Sequence, residues 1–163
     1  MQKIFDDPKT ILVIEEDFEK NQLIRKVVEY AHAINIVEDI EAAYNAVIKR
    51  ESMGSTAIGD GVAIPHAKLP FVVGINIIFC YLPNGVDFDA VDHNKVRYLF
   101  LILSQEKETT LHLKALAAIS KLIKNTGFIN QLSGEMELIR IHSILKECWG
   151  RCCEKDTGTG TSL

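Results

Sequence analysis

The chain has 163 residues, of which 47% are apolar and 25% charged, with a formal net charge of −4. Those values describe a soluble globule with a sizeable core and argue for one domain. They give no general basis for binding nucleic-acid phosphates and leave room for a local anion site.

Met1-Gln2-Lys3 leads into acidic residues without the apolar stretch of an export signal. The longest apolar run, Phe71 to Leu82, is too short to span a bilayer and is interrupted by Gly74 and Asn76. A cytoplasmic protein with no membrane insertion is expected. Of the four cysteines, Cys80 lies in that apolar run and reads as a small buried hydrophobe. Cys148, Cys152 and Cys153 crowd near the C-terminus without the paired spacing of a zinc site. No metal is expected, the thiols are expected to be reduced, and the tail thiols are open to oxidation in handling.

Residues 1–10 are polar and loop-like, and Ile11 to Ile14 reads as a short strand. Asp17 is the N-cap candidate for a helix over 18–33, with apolar positions at Leu23, Ile24, Val27, Val28 and Ala31. Asp39 caps a second helix that Gly54 stops, with Lys49, Arg50 and Glu51 in its last turns. Pro65 forces Ile64 into an extended conformation, so Val62 to Ile64 is a short strand with His66 at its end. Val72 to Leu82 is a long strand, Pro83-Asn84-Gly85 a turn, and Val86 to Phe88 a brief return strand. Val96 to Leu103 is another buried strand.

Thr109 or Thr110 caps a helix over 110–124. Further helical segments are expected over 126–132 and 135–148, split by Ser133-Gly134. Domain 1–150 is then followed by a disordered tail, 151–163, where glycine, threonine and serine replace periodicity. Alternating strands and helices predict an α/β sandwich: a single mixed β-sheet flanked by helices on both faces.

The chemistry concentrates between Arg50 and His66. A neutral imidazole is a nucleophile near pH 7, and here it stands on stiff backbone beside glycines and hydroxyls. By itself a histidine after a strand is usually a polar surface or core residue. The longer pattern decides otherwise. Arg50-Glu51-x-x-Gly54-Ser55-Thr56-x-Ile58-Gly59-x-Gly61-Val62-Ala63-Ile64-Pro65-His66 resembles the active-site signature of the type-2 (mannitol/fructose) EIIA domain of the phosphoenolpyruvate-dependent phosphotransferase system. A second element of that family, a histidine opening His-Leu-x-x-Leu, is matched by His112-Leu113-Lys114-Ala115-Leu116. The resemblance covers about residues 10–148 and is closest to the nitrogen-related regulatory branch. Ala57 and Ala67 depart from it where glycine is common, and neither removes a functional group.

The resemblance implies that His66 accepts a phosphoryl group on Nε2 from an HPr-like phosphocarrier. It implies that His112 stabilises the phosphoryl oxygens, with Arg50, Ser55 and Thr56 as phosphate-binding candidates and no cofactor. Each has a structural alternative. Arg50 is also a cation favoured at a helix C-terminus, and Ser55 and Thr56 also satisfy backbone groups at a helix end. His32, His93 and His142 have no motif around them and read as structural or solvated. A regulatory role through target proteins is the leading expectation. The alternatives are a sugar-specific EIIA passing phosphate to an EIIB domain, or a binding module that is not phosphorylated. The partner surface is expected to surround His66 and to be largely apolar, with acceptors for a basic carrier.

Overall fold

The computed structural model describes residues 1–154. Its strands are β1 (Ile11–Val13), β2 (Ala57–Gly59), β3 (Val62–Ala63), β4 (His66–Leu69), β5 (Ile75–Val86) and β6 (Val96–Gln105). Its helices are α1 (Lys20–Ala33), α2 (Ile40–Ser52), α3 (Thr109–Asn125), α4 (Phe128–Gln131) and α5 (Leu138–Glu154). The strands form one six-stranded sheet in the order β1-β5-β6-β3-β2, with β4 also on β6. The β5–β6 and β2–β3 pairs are antiparallel, whereas β1 joins β5, and β3 and β4 join β6, in parallel. The expected mixed sheet is therefore present.

The two central strands are apolar on both sides because both sides are covered. Ile78, Cys80 and Leu82 of β5, with Leu99, Leu101 and Leu103 of β6, pack with α1 and α2. The alternate residues Ile77, Phe79 and Tyr81, with Tyr98, Phe100 and Ile102, pack with α3 and α5. Helices thus lie on both faces, and Cys80 is fully buried, which pushes its thiol pKa up. No helix among the described residues is long and apolar enough to cross a membrane.

Several local expectations are corrected. Helix α1 starts at Lys20, and Glu19 rather than Asp17 takes the N-cap position, its N–H donating to Gln22 Oε1 at 3.0 Å. Asp39 caps α2 as expected, accepting from the Ala42 N–H at 2.9 Å. Pro83-Asn84-Gly85 is not the hairpin turn. It is an irregularity inside β5, between Tyr81 paired with Tyr98 and Val86 paired with Val96, and the chain reverses only beyond Val86. Proline tolerated at a bulge explains how a strong turn signal sits in a strand. Glu108, not a threonine, stands at the N-cap of α3, and the Thr109 hydroxyl accepts instead from Lys68 Nζ at 2.8 Å.

The largest correction concerns the two ends. Helix α5 continues through Gly150 to Glu154, so Arg151 to Cys153 are helical rather than the start of a disordered tail. Trp149 is 1% exposed, and Cys148 and Cys152 are buried, which shields two thiols expected to be accessible. The indole of Trp149 donates to the Met1 carbonyl at 3.0 Å and meets Phe5 edge-on at 5.1 Å. Phe5 is buried as well, so residues 1–10 contribute to the core. His142 Nε2 bonds the Phe5 carbonyl at 2.8 Å, and His32 Nδ1 bonds that of Val37 at 2.8 Å. The expected disorder of the remaining tail falls on residues 155–163, outside the described residues.

Candidate functional site

The sheet presents His66 through a broken strand. β3 and β4 both lie along β6, with Ala63 opposite Leu99 and His66 opposite Ile102. Pro65 interrupts the pairing without shifting its register, and the strand resumes at His66 rather than ending there. Proline has no N–H to add to the ladder. Its carbonyl still accepts from the Ile102 N–H at 3.0 Å. The neighbouring Ile64 carbonyl is turned to another use: it lies 2.8 Å from His66 Nδ1.

The β2–β3 hairpin before this break turns at Asp60-Gly61, both with positive φ (55° and 74°), the conformation a two-residue hairpin of this twist requires. A Cβ at Gly61 would stand 3.3 Å from the Lys95 carbonyl oxygen, so the close approach to β6 also favours glycine. The Gly61 carbonyl accepts from the N–H groups of Arg97 and Tyr98, which anchors the hairpin to the sheet.

Three side chains converge on one cleft of about 510 Å³: Arg50 from the last turn of α2, His66 from β4 and His112 from the first turn of α3. Arg50 Nε donates to His66 Nε2 at 3.2 Å, and its Nη1 donates to the Gly54 carbonyl at 3.1 Å. A carbonyl can only accept, so His66 Nδ1 carries the proton and Nε2 carries the lone pair. Burial, reinforced by the Arg50 charge, holds the His66 pKa below its ordinary value, against the raising effect of the Ile64 bond. The ring is therefore neutral at pH 7, with its nucleophilic nitrogen on the cleft side.

The His112 ring lies 5.2 Å from that of His66, centroid to centroid, at 61°. Its side chain is 4% exposed, and its Nδ1 is 2.7 Å from Ser104 Oγ. Burial first, then His66 and Lys68, push its pKa down to about 4. Lys68, two residues beyond His66 on the same strand, also lines the cleft. The arrangement offers a lone pair, a guanidinium fork and nearby positive charge, the requirements for receiving a transferring dianionic group.

Ser55 and Thr56 are not brought to this cleft. The Ser55 hydroxyl donates to the Phe88 carbonyl at 2.6 Å and accepts from the Ala57 N–H. The Thr56 hydroxyl donates to Glu51 Oε2 at 2.7 Å, and its N–H donates to Oε1 at 2.9 Å. Both serve the loop between α2 and β2, through Phe88, Ala57 and the Glu51 carboxylate rather than through backbone groups at the end of α2. Glu51, quoted in the motif but given no role, is the hub of this loop: it is buried and also takes the Lys20 ammonium at 2.9 Å. Ser104 and Lys68 drew no attention in the sequence. Ser104 ends an apolar run, where a hydroxyl is the one anomaly, and Lys68 follows His66 at strand spacing.

Around the cleft, Met53 (73% exposed) and Leu113 (61%) form apolar surface. Its charged lining is different from expectation. Lys49, Arg50 and Lys68 are all cations, so acceptors for a basic carrier do not line it.

Comparison with known proteins agrees with the motif. The family model described as phosphoenolpyruvate-dependent sugar phosphotransferase system, EIIA 2, matches residues 6–148. A nitrogen regulatory protein of Bradyrhizobium diazoefficiens is 33% identical over 138 residues, covering 85% of this chain and 90% of that protein. The fructose-specific EIIA component of Haloferax volcanii is 33% identical over 141 residues, covering 86% and 92%. The crystal structure of nitrogen regulatory protein IIA-Ntr from Neisseria meningitidis superposes with a TM-score of 0.76 at 25% identity, covering 85% of this chain and 94% of that one. With the family match spanning nearly all of the sheet and its helices, the chain belongs to the EIIA type-2 family of the phosphoenolpyruvate-dependent phosphotransferase system.

Proposed function

We propose that this chain is a phosphoryl-accepting EIIA component in which His66 Nε2 receives the phosphoryl group of an HPr-like phosphocarrier, with a regulatory role. The observation that carries the reading is the pairing of His66 Nδ1 with the Ile64 carbonyl at 2.8 Å, which leaves the Nε2 lone pair facing the cleft beside Arg50. As the Nε2–phosphorus bond forms, the donor's phosphorus–nitrogen bond breaks and its electron pair returns to the donor imidazole. The positive charge that develops on the His66 ring is shared through Nδ1–H with the Ile64 carbonyl. The Arg50 guanidinium swings from Nε2 to the equatorial oxygens, and an N–H of His112 meets another of them.

The regulatory role is supported by the similarity to nitrogen regulatory proteins in sequence and in fold. Phosphorylation would add a charge of about −1.5 to −2 beside the exposed Met53 and Leu113, enough to switch a protein contact. The second reading is a sugar-specific EIIA that passes phosphate to an EIIB domain, and the likeness to the Haloferax fructose component supports it.

The test is a reconstituted relay of phosphoenolpyruvate, enzyme I and an HPr-like carrier, followed by intact mass. One added phosphoryl group in the wild-type protein and none in His66→Ala is the expected result. A labelled His66→Ala protein, or no gain in the wild type with its own carrier, refutes the assignment. Onward transfer to a purified EIIB domain distinguishes transport from regulation.

A further inference from the structure

Ser104 occupies the β6 position opposite Lys68 of β4 and Ile75 of β5. It continues the row Tyr98, Phe100, Ile102 on the face covered by α3 and α5. An aliphatic residue would suit that row, yet the position carries a hydroxyl at 0% exposure. A buried hydroxyl left unpaired is strongly unfavourable. Among the described residues, the hydrogen-bond partner of Ser104 Oγ is His112 Nδ1, at 2.7 Å.

The direction of that bond follows from what each group can supply. A neutral imidazole has one N–H and one lone pair, and a hydroxyl has one donor and two acceptor sites. If His112 donated from Nδ1, the serine proton would lack an acceptor and Nε2 would present a bare lone pair to the cleft. If the serine donates, its proton and the Nδ1 lone pair satisfy each other, and the His112 proton is on Nε2, open to the cleft. The ring lines the same cleft as His66, with its centroid 5.2 Å from that of His66.

We propose that Ser104 is a positioning residue that fixes His112 as its Nε2–H tautomer, so that His112 offers the cleft a hydrogen-bond donor rather than a lone pair. The tautomer is a property of the resting protein; its consequence for transfer rests on His66 being the phosphoryl acceptor.

The test is the ¹⁵N spectrum of the His112 ring at pH 7, read together with single-turnover transfer. The expected wild-type spectrum has a protonated Nε2 and a bare Nδ1. In Ser104→Ala, Nδ1–H becomes populated, the transfer rate falls about tenfold, and the KM for the carrier is unchanged. Ser104→Thr, which restores the hydroxyl, restores the wild-type tautomer. A wild-type ring protonated on Nδ1, or a Ser104→Ala ring with the wild-type tautomer, overturns the proposal. If Ser104→Ala does not fold, the wild-type and Ser104→Thr spectra still decide the tautomer. If the wild type takes no phosphoryl group, the functional reading falls while the spectrum still judges the role of Ser104.

Discussion

Arg50→Lys separates the shape of a cation from its charge. In the resting protein the guanidinium bridges two acceptors, His66 Nε2 at 3.2 Å and the Gly54 carbonyl at 3.1 Å. A lysine ammonium is a point donor on a different stem and cannot reproduce that fork. A charge-assisted hydrogen bond contributes about 1.5–3 kcal/mol, and lysine retains the attraction of net charge for a dianion. The loss therefore falls toward the lower part of that range, about 1.5–2.2 kcal/mol, which corresponds to transfer roughly 10- to 40-fold slower. Single-turnover transfer from phosphorylated carrier, quantified by intact mass, reads it directly. Arg50→Ala provides an independent check by NMR titration. Removing the positive charge raises the His66 pKa, while burial, the larger cause, keeps it below its ordinary value. An Arg50→Lys protein that transfers at the wild-type rate, or a His66 midpoint that drops in Arg50→Ala, refutes this role for Arg50.

Four further outcomes follow from the structure. Glu51→Ala strands the buried Thr56 N–H and hydroxyl and removes one of two carboxylates from Lys20, costing about 3–5 kcal/mol; a urea midpoint shift worth under ~1 kcal/mol would contradict this. Gly85→Ala imposes a side chain at φ +68°, 2.8 Å from Lys95 Cβ, and costs about 2–4 kcal/mol by the same assay, so an unaltered midpoint would show that the β5 irregularity adapts freely. Acid unfolding should carry a His112 signature. Its folded pKa is depressed from 6.5 to about 4, so its contribution is present above pH 6.5 and is lost as pH falls toward 4; it amounts to no more than about 3 kcal/mol, and His112→Asn should flatten that part of the pH–stability curve. Ending the chain after Cys148 removes the buried Trp149 and costs about 3–5 kcal/mol, whereas a disposable tail would leave the urea midpoint in place.

Much of this architecture was legible because burial imposes strong patterns. β5 and β6 are covered on both faces, and their near-continuous apolar runs announce it. The Arg50-to-His66 motif was readable because a helix end, a tight hairpin and a proline each restrict residue choice. What remained hidden depended on tertiary partners. Pro83-Asn84-Gly85 carries turn chemistry, but pairing of Val86 with Val96 holds it inside the strand. Nothing local in Trp149-Gly150 indicates that Phe5 and the Met1 carbonyl wait to pack against the indole, so a change in composition looked like the end of the fold. Ser55 and Thr56 resembled phosphate ligands because hydroxyls near glycines often are. Only the positions of Phe88 and Glu51 show where their protons go.

The break at Pro65 has a chemical consequence beyond strand geometry. Imidazole can be phosphorylated at either nitrogen, giving two isomeric phosphohistidines. With the Ile64 carbonyl 2.8 Å from Nδ1, one isomer would drive a phosphate into the main chain. The other directs it outward, past Arg50, to where a partner can reach it. Under the proposed function, regioselectivity is written into the backbone and not into the residues that meet the partner. Met53, Leu113 and the lysines of the rim are then free to diverge as partners change, and the isomer formed at His66 stays the same.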